Sequence, residues 1–160
     1  MRAEWGRSFG IALLLVTIVT SFARAEDAAL LLTGKVPGGT VSLTLEQIAG
    51  LPQHELKEQP TSFPEPSVFK GPFLADVLKL AGAMGADLTA AAADDYKVDI
   101  TAKDIATFNP ILAIEKDGAR MSPEEFGPFF VMWPFKEKPE IDNETYQAKA
   151  IWQVTTIEVK

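Results

Sequence analysis

No cysteine occurs anywhere in the 160 residues, and that absence constrains the fold more than any motif does. A chain of this size can bury a core without cross-links, so its strands and helices must be held by packing and hydrogen bonds alone. The same absence removes whole chemistries: a thiol nucleophile, a thiolate zinc site, a redox dithiol and covalently attached haem. His54 is the only histidine, which excludes multi-histidine metal sites and most catalytic triads. Beside a strand it reads as a surface or hydrogen-bonded residue rather than a catalytic one.

Stability without disulfides matters because residues 1–25 read as a secretory signal peptide. Arg2 and Arg7 precede an apolar run from Phe9 to Val19, and Ala23-Arg24-Ala25 places small residues at the first and third positions before a cut. The run is shorter than the roughly 20 residues that span a bilayer, so the expectation is cleavage after Ala25, a mature chain of 135 residues beginning at Glu26, no stable membrane anchor, and a periplasmic or secreted location. Without Arg2, Arg7, Arg24 and Glu4, the mature chain keeps 12 Lys and Arg against 21 Asp and Glu, a net charge of −9. That acidity argues against nucleic acid or an anionic membrane surface as a partner, because both reward clustered Lys and Arg.

No internal repeat, linker or low-complexity tract divides residues 26–160, which read as one domain. Ala29 to Val36, the Pro37-Gly38-Gly39 turn and Thr40 to Leu43 read as a strand pair. Thr44-Leu45-Glu46-Gln47 fits a capping box opening a short helix that ends near Gly50. His54 to Glu58 reads as a strand, and Gln59 to Pro72, with Pro60, Pro64, Pro66 and Pro72, as an ordered loop. A helix follows, with Pro72 suited to its first position, Leu74, Val77, Leu78 and Ala81 at helical spacing, and Gly82 at its end. Ala86 to Ala93 carries no decisive pattern.

Beyond it, Tyr96 to Ile100 alternates as a strand does and Thr101 caps another short helix. Ile111 to Glu115, Pro128 to Trp133 and Ile151 to Val159 read as further strands, with an Asp117-Gly118 turn and a second capping box at Ser122-Pro123-Glu124-Glu125 between the first two. This order predicts an α+β fold with a mixed β-sheet and short helices, not a doubly wound one. There is no phosphate loop or dinucleotide fingerprint. The carboxylate pairs Asp94-Asp95 and Glu124-Glu125 are adjacent in sequence, so capping or solvation suits them better than acid-base work, and no calcium-loop spacing surrounds them.

The order of motifs resembles the oxidoreductase molybdopterin-binding domain, the sulfite oxidase fold. The resemblance runs through Leu32-Thr33-Gly34-Lys35-Val36, Leu43 to Ile48, Phe69-Lys70-Gly71-Pro72-Phe73-Leu74-Ala75-Asp76-Val77-Leu78 and Ala81-Gly82-Ala83. It continues with Asp94 to Val98, Ile111-Leu112-Ala113, Asp117-Gly118, Gly127 to Val131 with Pro134, and Ile151-Trp152 before Ile157-Glu158-Val159. It implies a sulfite oxidase-like fold over nearly all of the mature chain.

The departures from that family bear on function. In its catalytic members a cysteine thiolate in the loop before the Gly-Pro helix binds molybdenum. The corresponding segment, Gln59 to Lys70, offers Thr61, Ser62 and Phe63, and a hydroxyl is a poor substitute for a soft thiolate. Phe129 and Phe130 stand where an arginine often follows the Gly-Pro strand. Pterin phosphate is usually clamped by Arg, His and Lys, and the mature chain has only Arg120 and His54 of the first two types, with Lys149 matching a basic position of the family. The resemblance therefore implies a pseudoenzyme: a non-catalytic binding or accessory domain with no catalytic residue, no metal ligand and no cofactor. The alternative is a molybdopterin-dependent oxidoreductase that holds its metal by the cofactor's own dithiolene.

The expected partner is a small ligand or a periplasmic protein. The residues expected to meet it are Phe63 and Lys70 from the proline-rich loop, Tyr96 after the acidic pair, Trp133, Phe135 and Lys136 around Pro134, and Lys149. Pro134 stops strand pairing between two large aromatics, which suggests a rigid exposed segment. Trp152 and Phe73 read as core. Of Phe129 and Phe130, which alternate faces, one is expected in the core and the other along the vacated pocket.

Overall fold

The structure is a computed structural model and describes residues 28–160; the expected signal peptide, residues 1–25, lies outside them. In strand β1, Ala29–Gly34, Leu30 and Leu32 are fully buried while Ala29 and Leu31 face outward, the two-residue period of a strand with one wet face. A turn at Pro37–Gly39 returns the chain as β2, Thr40–Thr44, antiparallel to β1. Gly38 and Gly39 both take positive φ there, 72° and 78°, which L side chains resist. The capping box forms as expected: Gln47 N donates to Thr44 Oγ1 at 3.2 Å, and Thr44 N donates to Gln47 Oε1 at 2.8 Å. It opens helix α1, Leu45–Ala49, which buries Ile48.

β3, His54–Glu58, pairs antiparallel with β4, Ser67–Gly71, placing Leu56 opposite Phe69. The loop expected over Gln59 to Pro72 therefore ends near Pro66. Residues 67–71 contain no proline and alternate in burial, so they can donate to a ladder, whereas Pro60, Pro64 and Pro66 stay in the connection. Helix α2, Leu74–Leu80, buries Leu74, Val77 and Leu78. Pro72 stands one residue before its N-cap, Phe73, rather than at its first position, and Gly82 follows its end at φ 75°. The undecided alanine stretch is strand β5, Leu88–Ala92, followed by β6, Lys97–Ile100. Thr101 caps α3, Ala102–Phe108, by accepting from Asp104 N at 3.0 Å.

β7, Ile111–Ala113, breaks at Ile114, and β8, Glu115–Lys116, turns at Asp117-Gly118 into β9, Ala119–Arg120. The second capping box does not form: Pro123–Glu125 is a single 3-10 turn and the Ser122 side chain makes no capping bond. β10, Phe130–Met132, pairs with β7. The sequence reading did not anticipate the short helix α4, Glu144–Gln147, capped by Asn143. The last strand, β11, Val154–Val159, runs parallel to β1 and antiparallel to β5.

Among the described residues the fold is thus mixed α+β, with several sheets and four short α-helices. A five-stranded sheet has the order β2-β1-β11-β5-β6, a second has β3-β4-β8-β9, and β7 and β10 form a pair. That pair is tied to the end of β4 by Ile114 N donating to Lys70 O at 2.8 Å and Leu112 N to Pro72 O at 2.9 Å. A Cβ on Gly71 would lie 2.0 Å from the Leu112 carbonyl oxygen, so only glycine permits that approach. Phe63, Phe69, Phe126, Phe130 and Trp152 form one aromatic cluster, with centroids 4.6 Å apart for Phe63–Phe126 and 6.1 Å for Phe130–Trp152. Phe129 and Phe130 are both fully buried, against the expectation that one would line a pocket, because β10 is covered on both faces.

Candidate functional site

Three segments distant in sequence enclose a cleft of about 570 Å³. Thr61 and Ser62 come from the proline-rich connection, Ala92, Asp94 and Tyr96 from the β5–β6 turn, and Glu144 to Trp152 from α4 and the chain after it. Each wall is fixed by hydrogen bonds. Asp94 Oδ1 accepts from Tyr96 N at 3.1 Å and Ala92 N donates to Tyr96 O at 2.9 Å, with Asp95 at φ 67° between them. Asn143 Oδ1 accepts from Thr145 N and Tyr146 N, which anchors α4. Gln147 links two walls, since its Oε1 accepts from Thr61 N at 3.1 Å while its Nε2 donates to Asp142 Oδ1 at 2.7 Å. The Tyr96 hydroxyl crosses the cleft to donate to Ala148 O at 3.1 Å.

Behind α4 lies a polar knot. Lys149 Nζ sits 3.0 Å from Asp104 Oδ2, and the Tyr146 hydroxyl donates to Asp104 Oδ1 at 2.8 Å. Burial works to raise the Asp104 pKa, but the hydrogen bonds from Lys149 and Tyr146 and the lysine charge hold it below the ordinary aspartate value. Tyr146, desolvated and donating to that carboxylate, is pushed up to about 12. The Lys149 ammonium also lies 4.8 Å from the Tyr146 ring centroid. Trp133 closes the knot by donating from Nε1 to Lys149 O at 3.0 Å and meeting Tyr146 edge to face at 5.2 Å.

Of the residues expected to contact a ligand, the cleft gathers only Tyr96, which is 48% exposed. The exposed aromatic surface expected around Pro134 does not exist: Trp133 is fully buried and Phe135 is 4% exposed. Pro134 does interrupt strand pairing, but the chain turns inward, so both rings complete the core and the indole N–H finds a backbone acceptor. Phe63, at 7% exposure, packs in the aromatic cluster instead of presenting a face to solvent. Lys70 lies in the second sheet, 3.9 Å from both Glu55 and Glu115, in a surface charge ladder that Arg120 extends. Lys136 is exposed, and its backbone N–H is committed to Glu58. Lys149 is spent on Asp104. His54 stacks on Phe73 with centroids 3.6 Å apart, and Phe73 is half-buried rather than core. Trp152, read as core, is also half-buried and forms part of the cleft wall.

Every other lining residue went unselected as a contact from sequence: Asp94 read as capping or solvated, Thr61 and Ser62 only as the replacement for a thiolate, and Glu144, Gln147 and Ala148 not at all. The available signal was Asn143-Glu144, an N-cap followed by an acidic first-turn residue. Among the described residues, no group of three or more His, Asp or Glu is arranged to hold a metal ion.

Among the described residues, Glu58 is the one buried carboxylate, and it makes no ion pair. It is 2% exposed, and its two oxygens face the Lys136 N–H at 3.3 and 3.2 Å. Burial pushes its pKa above the ordinary 4.5. A folded pKa above the unfolded one means that the native state binds more protons between the two values. The contribution of Glu58 to stability is therefore complete below about pH 4.5 and declines as pH rises through the folded value. The stability of Glu58→Gln relative to wild type should accordingly increase between pH 4 and pH 7 in urea melts. A difference independent of pH would show that Glu58 ionises as it does in the unfolded chain.

A scan against protein-family models gives no match, and neither does a search of curated proteins.

Proposed function

We propose that this protein is an exported, non-catalytic binding domain of sulfite oxidase-like fold, in which molybdenum chemistry has been abandoned and the cleft beside Thr61 and Ser62 takes a small ligand instead. The observation that carries this reading is the composition of the cleft wall. By the sequence resemblance, Thr61 and Ser62 lie in the segment that holds the metal-binding thiolate in catalytic relatives. Around them the wall supplies the Tyr96 hydroxyl, the carboxylates of Asp94 and Glu144, the amide of Gln147, alanines, Ile151 and Trp152, and no Lys, Arg or His.

A molybdopterin does not fit that donor set. Its phosphate needs cationic forks or point charges to offset desolvation, and the carboxylates would repel it. The nearest family-matched cation, Lys149, is already neutralised by Asp104. Export rests on the N-terminal segment, and no helix among the described residues is long and apolar enough to cross a membrane. Concave sites of about 300–1,000 Å³ with an apolar lining and a few fixed polar groups are the usual form of small-molecule sites, and the cleft falls within that range.

The competing reading is an oxidoreductase that retains the cofactor without a protein thiolate. Elemental analysis and pterin fluorescence of protein purified from its exported location separate the two. The expected result is neither stoichiometric molybdenum nor bound pterin, while close to one molybdenum per chain would overturn the binding-domain reading.

A further inference from the structure

We propose that the cleft is selective for an organic cation, an ammonium carried on an apolar or aromatic body; this rests on the reading of the cleft as a ligand site. The argument starts from charge. Asp94 and Glu144 reach the cleft from different elements, the β5–β6 turn and the first turn of α4. Among the described residues neither has an ion-pair partner, and the hydrogen bond that Asp94 makes is to the backbone N–H of Tyr96. No cationic side chain lines the cleft to balance them. Lys149, flanked by the lining residues Ala148 and Ala150, is held by Asp104 and the Tyr146 ring instead.

The rest of the wall completes the complementarity. Ala92, Ala150 and Ile151 supply apolar surface, and Trp152 is braced edge to face by Phe126 and Phe130 at centroid distances of 5.9 and 6.1 Å. A fixed indole beside unbalanced carboxylates favours a cation twice, through its π face and through Coulomb attraction. An anion of the same shape meets repulsion from both carboxylates. A neutral molecule gains only the apolar contact.

Three probes that share an indolylethyl body separate these cases: tryptamine, tryptophol and indole-3-propionate, titrated into the processed protein by calorimetry and by ¹H–¹⁵N NMR. Tryptamine is expected to bind at least about tenfold more tightly than tryptophol, and indole-3-propionate more weakly than either. The shifts should concentrate on the Trp152 indole and the amides of Tyr96 and Ala148. The double variant Asp94→Asn/Glu144→Gln, at two exposed positions, is expected to bring the amine within about twofold of the alcohol, with an unchanged denaturant midpoint confirming that it folds. Equal binding of amine and alcohol in the cleft, or tighter binding of the carboxylate, would overturn cation selectivity while leaving the cleft a ligand site. If none of the probes perturbs the cleft residues, the ligand-site reading falls together with the inference.

Discussion

Trp133→Ala is expected to cost about 3–5 kcal/mol of folding stability, the range for truncating a buried large aromatic. Trp133 is fully buried beside β10, with its indole edge to face on Tyr146 and its N–H on the Lys149 carbonyl. The substitution leaves a cavity and an unsatisfied carbonyl together, and an orphaned buried acceptor alone costs about 1–3 kcal/mol. Trp133→Phe keeps much of the volume and loses the hydrogen bond, so its cost should be visibly smaller. Urea melts of the three proteins decide the matter. A loss below about 0.5 kcal/mol for the alanine variant is what a surface residue shows, and would return the Trp133 to Lys136 segment to consideration as a contact surface.

The second large effect is expected at Asp104. Asp104→Ala strands the Lys149 ammonium and deprives the Tyr146 hydroxyl of its acceptor. Breaking a fully buried pair costs about 3–5 kcal/mol; because these side chains keep 16–17% of their exposure, about 2–3 kcal/mol is the expectation here. Lys149→Met should cost less, since Asp104 keeps the Tyr146 hydroxyl and the methionine stem still covers the ring. The pH dependence follows from the lowered pKa. The Asp104 contribution is complete above the ordinary aspartate value of 3.8 and is lost as pH falls through the lower folded value. The gap between wild type and Asp104→Ala should therefore narrow below about pH 3.8. A gap that stays constant down to pH 2 would mean that packing, and not the ion pair, carries the effect.

Because the knot stands directly behind Ala148 and Ala150 in the cleft wall, both variants should also weaken any ligand held there. The two arms differ in kind. Trp133 acts through volume, whereas Asp104 acts through charge, so only the second effect should depend on pH.

Local features of the fold were legible where one physical rule acted over a few residues. The Thr44–Gln47 capping box, the Thr101 cap and the Asp117-Gly118 turn each rest on contacts within four residues, and each formed. The second capping box failed because Pro123–Glu125 closed into a single tight turn, in which Ser122 bonds through its backbone carbonyl and not its hydroxyl. Strand β5 was illegible for the opposite reason. Alanines carry no strand preference of their own, and Leu88–Ala92 is a strand because β11 and β6 hydrogen-bond to it from either side.

The sequence by itself determined the α+β class, the exclusion of thiol chemistry and of multi-histidine metal sites, and an acidic surface, because composition and short-range patterns decide those. Only the tertiary structure decided which aromatics were free. Trp133 and Phe135 flank a proline in a charged stretch, yet both are buried, Trp133 against the Tyr146–Lys149 knot. The cleft, too, is a tertiary object: Thr61 and Gln147 are joined by one hydrogen bond across 86 positions, and Asp94 and Glu144 face one cleft only because the β5–β6 turn and the α4 segment meet there. Long-range pairing sets burial and proximity, and no local pattern encodes either.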